Sequence, residues 1–243
     1  REILTAIASA GLPAVLVKGL DFAEVAYGGI QNRTFSDIDL LVRPEAMDAL
    51  GALLAGLGYS PEPIPKKRIG HTEWKWTRRD AAWGAVLVEL HTDLVHGPEW
   101  RGRVSLTYDL YADRGAGGIS PAARLVLAAL HGATSHLFGR LQYVVDGLMI
   151  ARMDVDAEEL RERARRSGAV LPVATMLRLA ADLYGCEKSE ALVGRLGAVP
   201  WSSLERRLIT VAMVLSAKSP SRWRLLPRRY LYRRLLRGGP LPA

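Results

Sequence analysis

The chain of 243 residues carries 33 Lys and Arg against 25 Asp and Glu, a net charge of +8, and seven of the positive charges lie between Arg222 and Arg237, where there is no acid. Eight less seven leaves +1 for everything else, which excludes a coat protein that meets nucleic acid over its whole surface and disfavours nucleic acid as the partner of the main body. With 49% apolar and 24% charged residues the chain is of ordinary globular composition, and its single cysteine, Cys186, excludes an internal disulfide and a Cys-rich zinc site.

Ile3 to Ala10 reads as a helix closing at Gly11, and Ala14 to Val17 as a short buried strand ahead of Lys18-Gly19. Leu20 to Tyr27 follows as a helix stopped by Gly28-Gly29, then Ile38 to Val42 as a strand. Pro44, tolerated in a first helical turn, opens a helix to Leu57 with Gly58 as its stop. Trp74 to Arg78 and Val86 to His91 are β-rich runs around a polar segment, which predicts a hairpin with a longer loop. Beyond them helical periodicity takes over. The Gly-rich stretch Gly115 to Gly118 marks the expected boundary between an α+β domain, residues 1–115, and a helical domain, residues 116–243. In the latter, Ser120-Pro121 starts a helix through Leu130, Leu141 to Arg152 forms another, and Asp156 with Glu159 and Ser202 with Glu205 read as capping boxes.

The segment Ser219 to Arg237 interleaves arginines with Trp223, Tyr230, Tyr232 and several leucines, and Pro227 is placed to open a helix there. Leu231 with Leu235 and Tyr232 with Leu236 are i,i+4 pairs on an apolar stripe. Three fates fit this tail: docking on an anionic membrane surface, gripping an acidic peptide or nucleic acid, or packing on the body with its arginines solvated. Trp74, Trp76, Trp83 and Trp100 fit either an acceptor cleft or core packing around the hairpin.

The chemistry is concentrated in Arg33-Thr-Phe-Ser-Asp37-Ile-Asp39-Leu-Leu-Val42. On a strand, Asp37 and Asp39 share one face with Cα atoms about 6.5–7 Å apart, while Ile38 and Leu40 enter the core behind them. Two such carboxylates repel and resist desolvation, and a divalent cation compensates both. Mg²⁺ suits one or two carboxylates with its remaining positions left to water and phosphate oxygens. Val86-Leu-Val-Glu89-Leu-His91-Thr-Asp93 puts Glu89, His91 and Asp93 on one strand face; if that strand lies beside the Asp37 strand, Glu89 becomes a third acid, and His91 is placed to orient it or touch a phosphate. Lys18, before a Gly19 that leaves room for a phosphate, and Arg33 supply positive charge for a triphosphate. Taken singly, each of these residues also fits an ordinary solvated or salt-bridged charge. Their order along the chain is the signal.

Leu16-Val-Lys18-Gly19, Ala26-Tyr27, Arg33-x-x-x-Asp37-Ile-Asp39-Leu-Leu-Val42 and Val88-Glu89-Leu90-His91 resemble a nucleotidyltransferase family of the DNA-polymerase-β-like superfamily, the one with Lys-Gly where the superfamily usually has Gly-Ser. The resemblance runs from about residue 14 to 150. It implies a mixed sheet flanked by helices, followed by a helical domain, with Asp37, Asp39 and Glu89 as catalytic metal ligands. It also covers Leu130-His131, His136 and Leu141 to Asp146, and so implies nucleotide or acceptor binding by His131 and Asp146. Members are often encoded beside natural-product genes, lasso-peptide clusters included, which implies a peptide or small-molecule acceptor. His131 and His136 lie five residues apart, about 140° round a regular helix, which predicts that only one of them faces any one site. Asp146 either binds substrate or pairs with a cation such as Arg152.

The expected activity is therefore Mg²⁺-dependent, with Mn²⁺ as the alternative metal, moving a nucleoside monophosphate from an NTP, ATP first, to a hydroxyl of a peptide, protein or small molecule. Lys18, Gly19, Arg33 and His91 would handle the nucleotide, and Glu89 would also assist the acceptor hydroxyl as base. Phosphoryl transfer at the same site, an inactive nucleotide-binding recruitment module and nucleic-acid modification are the rivals. One cysteine and the lack of an apolar run near the ~20 residues of a membrane span point to the cytoplasm. The chain opens on Arg1 rather than Met, so a preceding N-terminal portion is expected.

Overall fold

The computed structural model describes residues 1–63, 72–81, 84–95, 100, 102–112, 119–199, 202–216 and 222–236. The chain divides into two compact units, one of Arg1–Pro98 with Leu106–Arg114, the other of Glu99–Ser105 with Gly115–Ala243. The expected Gly-rich boundary at 115–118 falls outside the described residues, as does Trp83.

The first unit runs α1 (Glu2–Ser9), β1 (Ala14–Val17), α2 (Lys18–Val25), β2 (Asp37–Val42), α3 (Met47–Gly56), β3 (Ser60–Pro61), β4 (Glu73–Asp80), β5 (Gly84–His91) and α4 (Tyr108–Tyr111). Short 3-10 turns at Ile30–Asn32 and Pro44–Ala46 precede β2 and α3. The five strands form one sheet in the order β1-β2-β5-β4-β3. Only the β2 to β5 pairing is parallel, so the sheet is mixed. The α+β class, a mixed sheet flanked by helices and followed by a helical region, is as the sequence led us to expect.

Strand alternation gives this sheet two chemically different faces. Leu40, Val42, Val88 and Leu90 are buried with Ile3 and Ile7 of α1 and Leu50 and Leu54 of α3, and Trp74 and Trp76 pack against the same cluster. Each of these leucines contributes about 1.5–3 kcal/mol by burial. The two tryptophans thus lie on the apolar back of the sheet, opposite the face of the acids, where they pack on the core and, with Met47, Asp48 and Gly51, also line a pocket. Trp100 groups with the other unit, where it is buried. The interposed residues Asp37, Asp39, Glu89 and His91, with Lys75 and Glu73 of β4, make up the other face.

The hairpin differs from expectation. β4 and β5 stay paired out to Asp80 and Gly84, leaving a three-residue connection. Backbone pairing does not require apolar side chains, so the ladder continues through polar Arg79 and Asp80 where hydrophobic pattern alone stops. β3, with Pro61 at the sheet edge, carried no pattern signal at two residues long.

The second unit is helical: α5 (Pro121–His136), α6 (Leu141–Ala151), α7 (Ala157–Arg166), α8 (Val170–Tyr184), α9 (Glu187–Arg195), α10 (Ser202–Leu208), α11 (Val211–Val214) and α12 (Arg222–Leu236). Ser120 caps α5 through the Ala123 amide, and Asp156 caps α7 through the amides of Glu158 and Glu159. The acids of both expected capping boxes go elsewhere. Glu159 accepts from Ser120 Oγ and Arg163 Nε, and buried Glu205 accepts from Arg178. At Gly168, φ is +70° and a Cβ would run into the Arg103 carbonyl oxygen, so only glycine fits there.

The tail packs. α12 begins at Arg222 and runs through Pro227, which sits inside the helix and leaves one ladder bond unmade rather than opening it. Tyr232 is fully buried, its hydroxyl 3.3 Å from Thr175 Oγ1, and Leu235 is buried on the same stripe. Arg233 lies over the Trp100 ring, 5.2 Å from its centroid. The apolar stripe is therefore spent on the unit's own core. Among the described residues no helix is long and apolar enough to cross a membrane.

Candidate active site

The acids come together because of register. Val17 of β1 pairs with Asp39 of β2, Asp39 with Glu89 of β5, and Glu89 with Lys75 of β4, so one lateral row crosses four strands. Parallel strands in register put Asp39 and Glu89 side by side on one face, about 4.8 Å apart at the backbone. Leu41, His91 and Glu73 form the next row on one side, and Asp37, Leu87 and Thr77 the row on the other. The sequence predicted the shared face of Asp37 and Asp39. It could not supply the pairing that brings Glu89 alongside.

Asp39 is the centre of the network. Its Oδ1 accepts from Lys18 Nζ at 2.8 Å and from His91 Nε2 at 2.8 Å. Burial pushes this carboxyl up, but the Lys18 ammonium and the His91 hydrogen bond outweigh burial and hold it well below the usual carboxylate range. His91 is fully enclosed, and burial followed by the nearby Lys18 charge lowers its pKa, so the ring is neutral and Nε2 must carry the proton it gives Asp39. His91 Nε2 is 3.5 Å from Glu89 Oε2. The ring therefore orients Asp39 first and Glu89 second, and being wholly buried it is not exposed to a phosphate.

Glu89 is buried and hydrogen-bonded to Lys75 Nζ, which also reaches Glu73 Oε1 at 3.1 Å. Burial raises the Glu89 pKa; the Lys75 bond opposes that rise and the neighbouring Glu73 and Asp39 charges add to it. Asp37 is half-buried at the open start of β2, its carboxyl raised by burial and then by Asp39, against the lowering pull of Lys18 and Lys75. Asp39, Glu89 and His91 bring one potential ligand atom each to within 4.8 Å of one another. The tight group thus has His91 where the sequence led us to expect Asp37, because the imidazole reaches back from the next row while Asp37 stands at the strand's first residue. Asp93, expected on this face, lies beyond the end of β5, and its carboxylate instead accepts from the amides of Val95 and Leu106.

Lys18 reaches Asp39 from a constrained position. It opens α2 directly after β1 with φ of +55°, a left-handed conformation that a non-glycine residue adopts only when its surroundings hold it there. The helix therefore starts two residues earlier than expected. Gly19 is needed for a protein contact: a Cβ there would stand 2.8 Å from the Phe35 Cβ and 3.3 Å from Arg33 Nη1. Arg33 lies over the Phe22 ring at 5.6 Å and donates to the Thr34 carbonyl at 3.2 Å.

Lys18, Gly19, Arg33, Asp37, Asp39, Glu89 and His91 all belong to the first unit, and His131 and Asp146 to the second. Asp146 is buried and accepts from Gln142 Nε2 at 3.0 Å, one turn before it on α6. The rings of His131 and His136 stand 5.1 Å apart despite their angular separation, because α5 ends at His136 and both rings turn onto Tyr143 of α6, at 5.4 and 4.4 Å. Lys75 was not anticipated, although a lysine on the same strand face as Glu73 was visible in the pattern of β4.

Residues 1–185 match the family described as uncharacterised nucleotidyltransferase. No curated protein matches the chain. Among solved structures, the solution structure of the antibiotic-resistance factor ANT(2'')-Ia is similar at 15% identity and a TM-score of 0.37, over 79% of this chain and 86% of that one. A likeness that loose carries no argument about substrate.

Proposed function

The chain belongs to the uncharacterised nucleotidyltransferase family, and on that premise we propose that it moves a nucleoside monophosphate from an NTP, ATP first, to a hydroxyl of a peptide, protein or small molecule in a Mg²⁺-dependent reaction. The observation that carries this reading is the register pairing of Asp39 with Glu89 between Lys18 and Lys75. Two carboxylates held side by side at the cost of desolvation, with a third on the same face at Asp37, form an oxygen donor set that fits a hard divalent ion, Mg²⁺ or Mn²⁺. Asp37, Asp39 and Glu89 would hold the metal. When bound, it neutralises part of the triphosphate charge and of the charge that builds on the leaving pyrophosphate.

The protein's own groups then have distinct tasks. Lys18 and Arg33 bind the triphosphate, and His91 fixes the orientation of Asp39. The acceptor oxygen bonds to the α-phosphorus as the bond from that phosphorus to the bridging oxygen breaks, and pyrophosphate leaves with the electron pair. Glu89, its basicity raised by burial, takes the hydroxyl proton. The near-neutral charge of the chain outside Arg222 to Arg237 supports a small triphosphate and a non-nucleic-acid acceptor.

Parallel incubations with α- and γ-labelled NTPs and candidate hydroxyl acceptors, read by mass spectrometry, test this. The product should retain the nucleoside and the α label, and Asp39→Asn should abolish it. A product carrying phosphate alone would make the protein a phosphotransferase and end this reading.

A further inference from the structure

We propose that Lys75 is a second triphosphate-binding lysine, holding Glu89 in the metal-free protein and passing to the nucleotide's phosphate oxygens when a divalent cation takes that carboxylate. The inference rests on the function proposed above and adds a residue to it. Across the sheet the order of side chains is cation, acid, acid, cation: Lys18 on Asp39 from the β1 side, Lys75 on Glu89 from the β4 side. The two lysines are alternatives to a metal, since each occupies a carboxylate that the metal would need. An ammonium left beside a newly bound divalent ion is repelled by it and needs an anion, and the triphosphate brings one to that edge of the site.

Lys75 can make that exchange. Its side chain is 38% exposed while that of Glu89 is 9% exposed, so the ammonium sits at the open rim above a buried acid. Its flexible stem lets the head move without any change in the backbone of β4. Glu73, the second acid it touches at 3.1 Å, lies in the neighbouring row and keeps the ammonium on the acid face once Glu89 is taken. A cross-strand Lys–Glu pair is also a common sheet contact. Such a contact predicts neither competition with metal nor a role in nucleotide affinity.

Both consequences are measurable at equilibrium. Removing a competitor for Glu89 should tighten Mn²⁺ binding, read by electron paramagnetic resonance without nucleotide, several-fold in Lys75→Met. The same variant should weaken ATP binding at saturating Mg²⁺, read by calorimetry, by about tenfold, the loss of one charge-assisted contact, and Lys75→Arg should recover most of it. If Lys75→Met leaves both constants unchanged, or weakens both together as a merely structural residue would, the proposal is overturned. Lys75→Gln serves the same purpose should the methionine variant fail to fold. Failure of the underlying function reads differently: the wild type itself would then bind ATP without regard to Mg²⁺ or to Asp39→Asn.

Discussion

Asp39 and Glu89 are direct register partners in the parallel pair of β2 and β5, so the two acids most deeply buried in the site are held side by side by backbone pairing rather than by loops. Yet their environments push them apart. Asp39, bonded twice, is held far below its usual pKa, and Glu89 is held above it. Under the proposed function this leaves Asp39 as the permanent anion and Glu89 as the group that exchanges a proton, the division of labour expected of paired catalytic carboxylates.

Asp39→Asn and Asp37→Asn should therefore differ in stability while both lose activity. The folded pKa of Asp39 is depressed, so its contribution is present above the unfolded value of 3.8 and lost as pH falls below it. That of Asp37 is raised, so its contribution is present below 3.8 and lost as pH climbs through the folded value. At pH 7 the ionised Asp39 stabilises the metal-free fold and the ionised Asp37 opposes it. Thermal melting without metal should show a lower Tm for Asp39→Asn and a higher one for Asp37→Asn, with kcat/KM for Asp39→Asn down by about a thousandfold or more. A lower Tm for Asp37→Asn would show that its carboxylate is compensated within the protein.

The metal-free protein should also lose stability on mild acidification. His91 is buried neutral with a lowered pKa, so the unfolded chain takes up its proton first, near 6.5, and stability falls from there downward until the folded value is reached. Asp39 adds a further loss below about pH 4. Melting curves across pH 4–8 should show the upper part of this slope flattened in His91→Gln. An unchanged slope would assign it to another group.

Much of this site was legible in the sequence because it rests on period-2 alternation: Asp37 and Asp39 on one face of their strand, Glu89 and His91 on one face of theirs, Ile38 and Leu40 behind. What alternation cannot specify is which strands adjoin, so the pairing of Asp39 with Glu89, the row that includes Lys75 and the reach of His91 to Asp39 emerge only from the fold. Local signals failed where a longer-range contact took the residue. Glu159 and Glu205 read as capping acids but bind Ser120 and Arg178, and Pro227 read as a helix start but lies inside α12, whose Tyr232 is anchored in the core. His131 and His136 were separated by helical geometry and are rejoined by Tyr143, which aligns with neither in sequence.

In the helical unit, Arg178 ties α8 to α10 through both oxygens of buried Glu205 and the Ile209 carbonyl. Arg178→Met should destabilise by about 3–5 kcal/mol, because it strands a buried carboxylate. Pairing it with Glu205→Leu should recover much of that loss, and chemical denaturation of the single and double variants makes the comparison. Equal loss in both would mean that the ion pair itself, rather than the stranded charge, sets the cost.

Gly168→Ala should lower stability by about 1–3 kcal/mol or more, since the substitution meets both a left-handed backbone and the Arg103 carbonyl. A change of 1 kcal/mol moves Tm by about 2–4 °C in a chain of this size. A Tm unchanged from the wild type would place Arg103 elsewhere than in this fold.

Under the proposed function a metal–nucleotide complex sits on the row of Asp39 and Glu89. Calorimetric titration of ATP into the wild type and Asp39→Asn, with and without Mg²⁺, tests it most directly. The wild type should bind saturably in a way that requires Mg²⁺ and is lost in Asp39→Asn; equal binding by both proteins, with or without Mg²⁺, would contradict the proposed function.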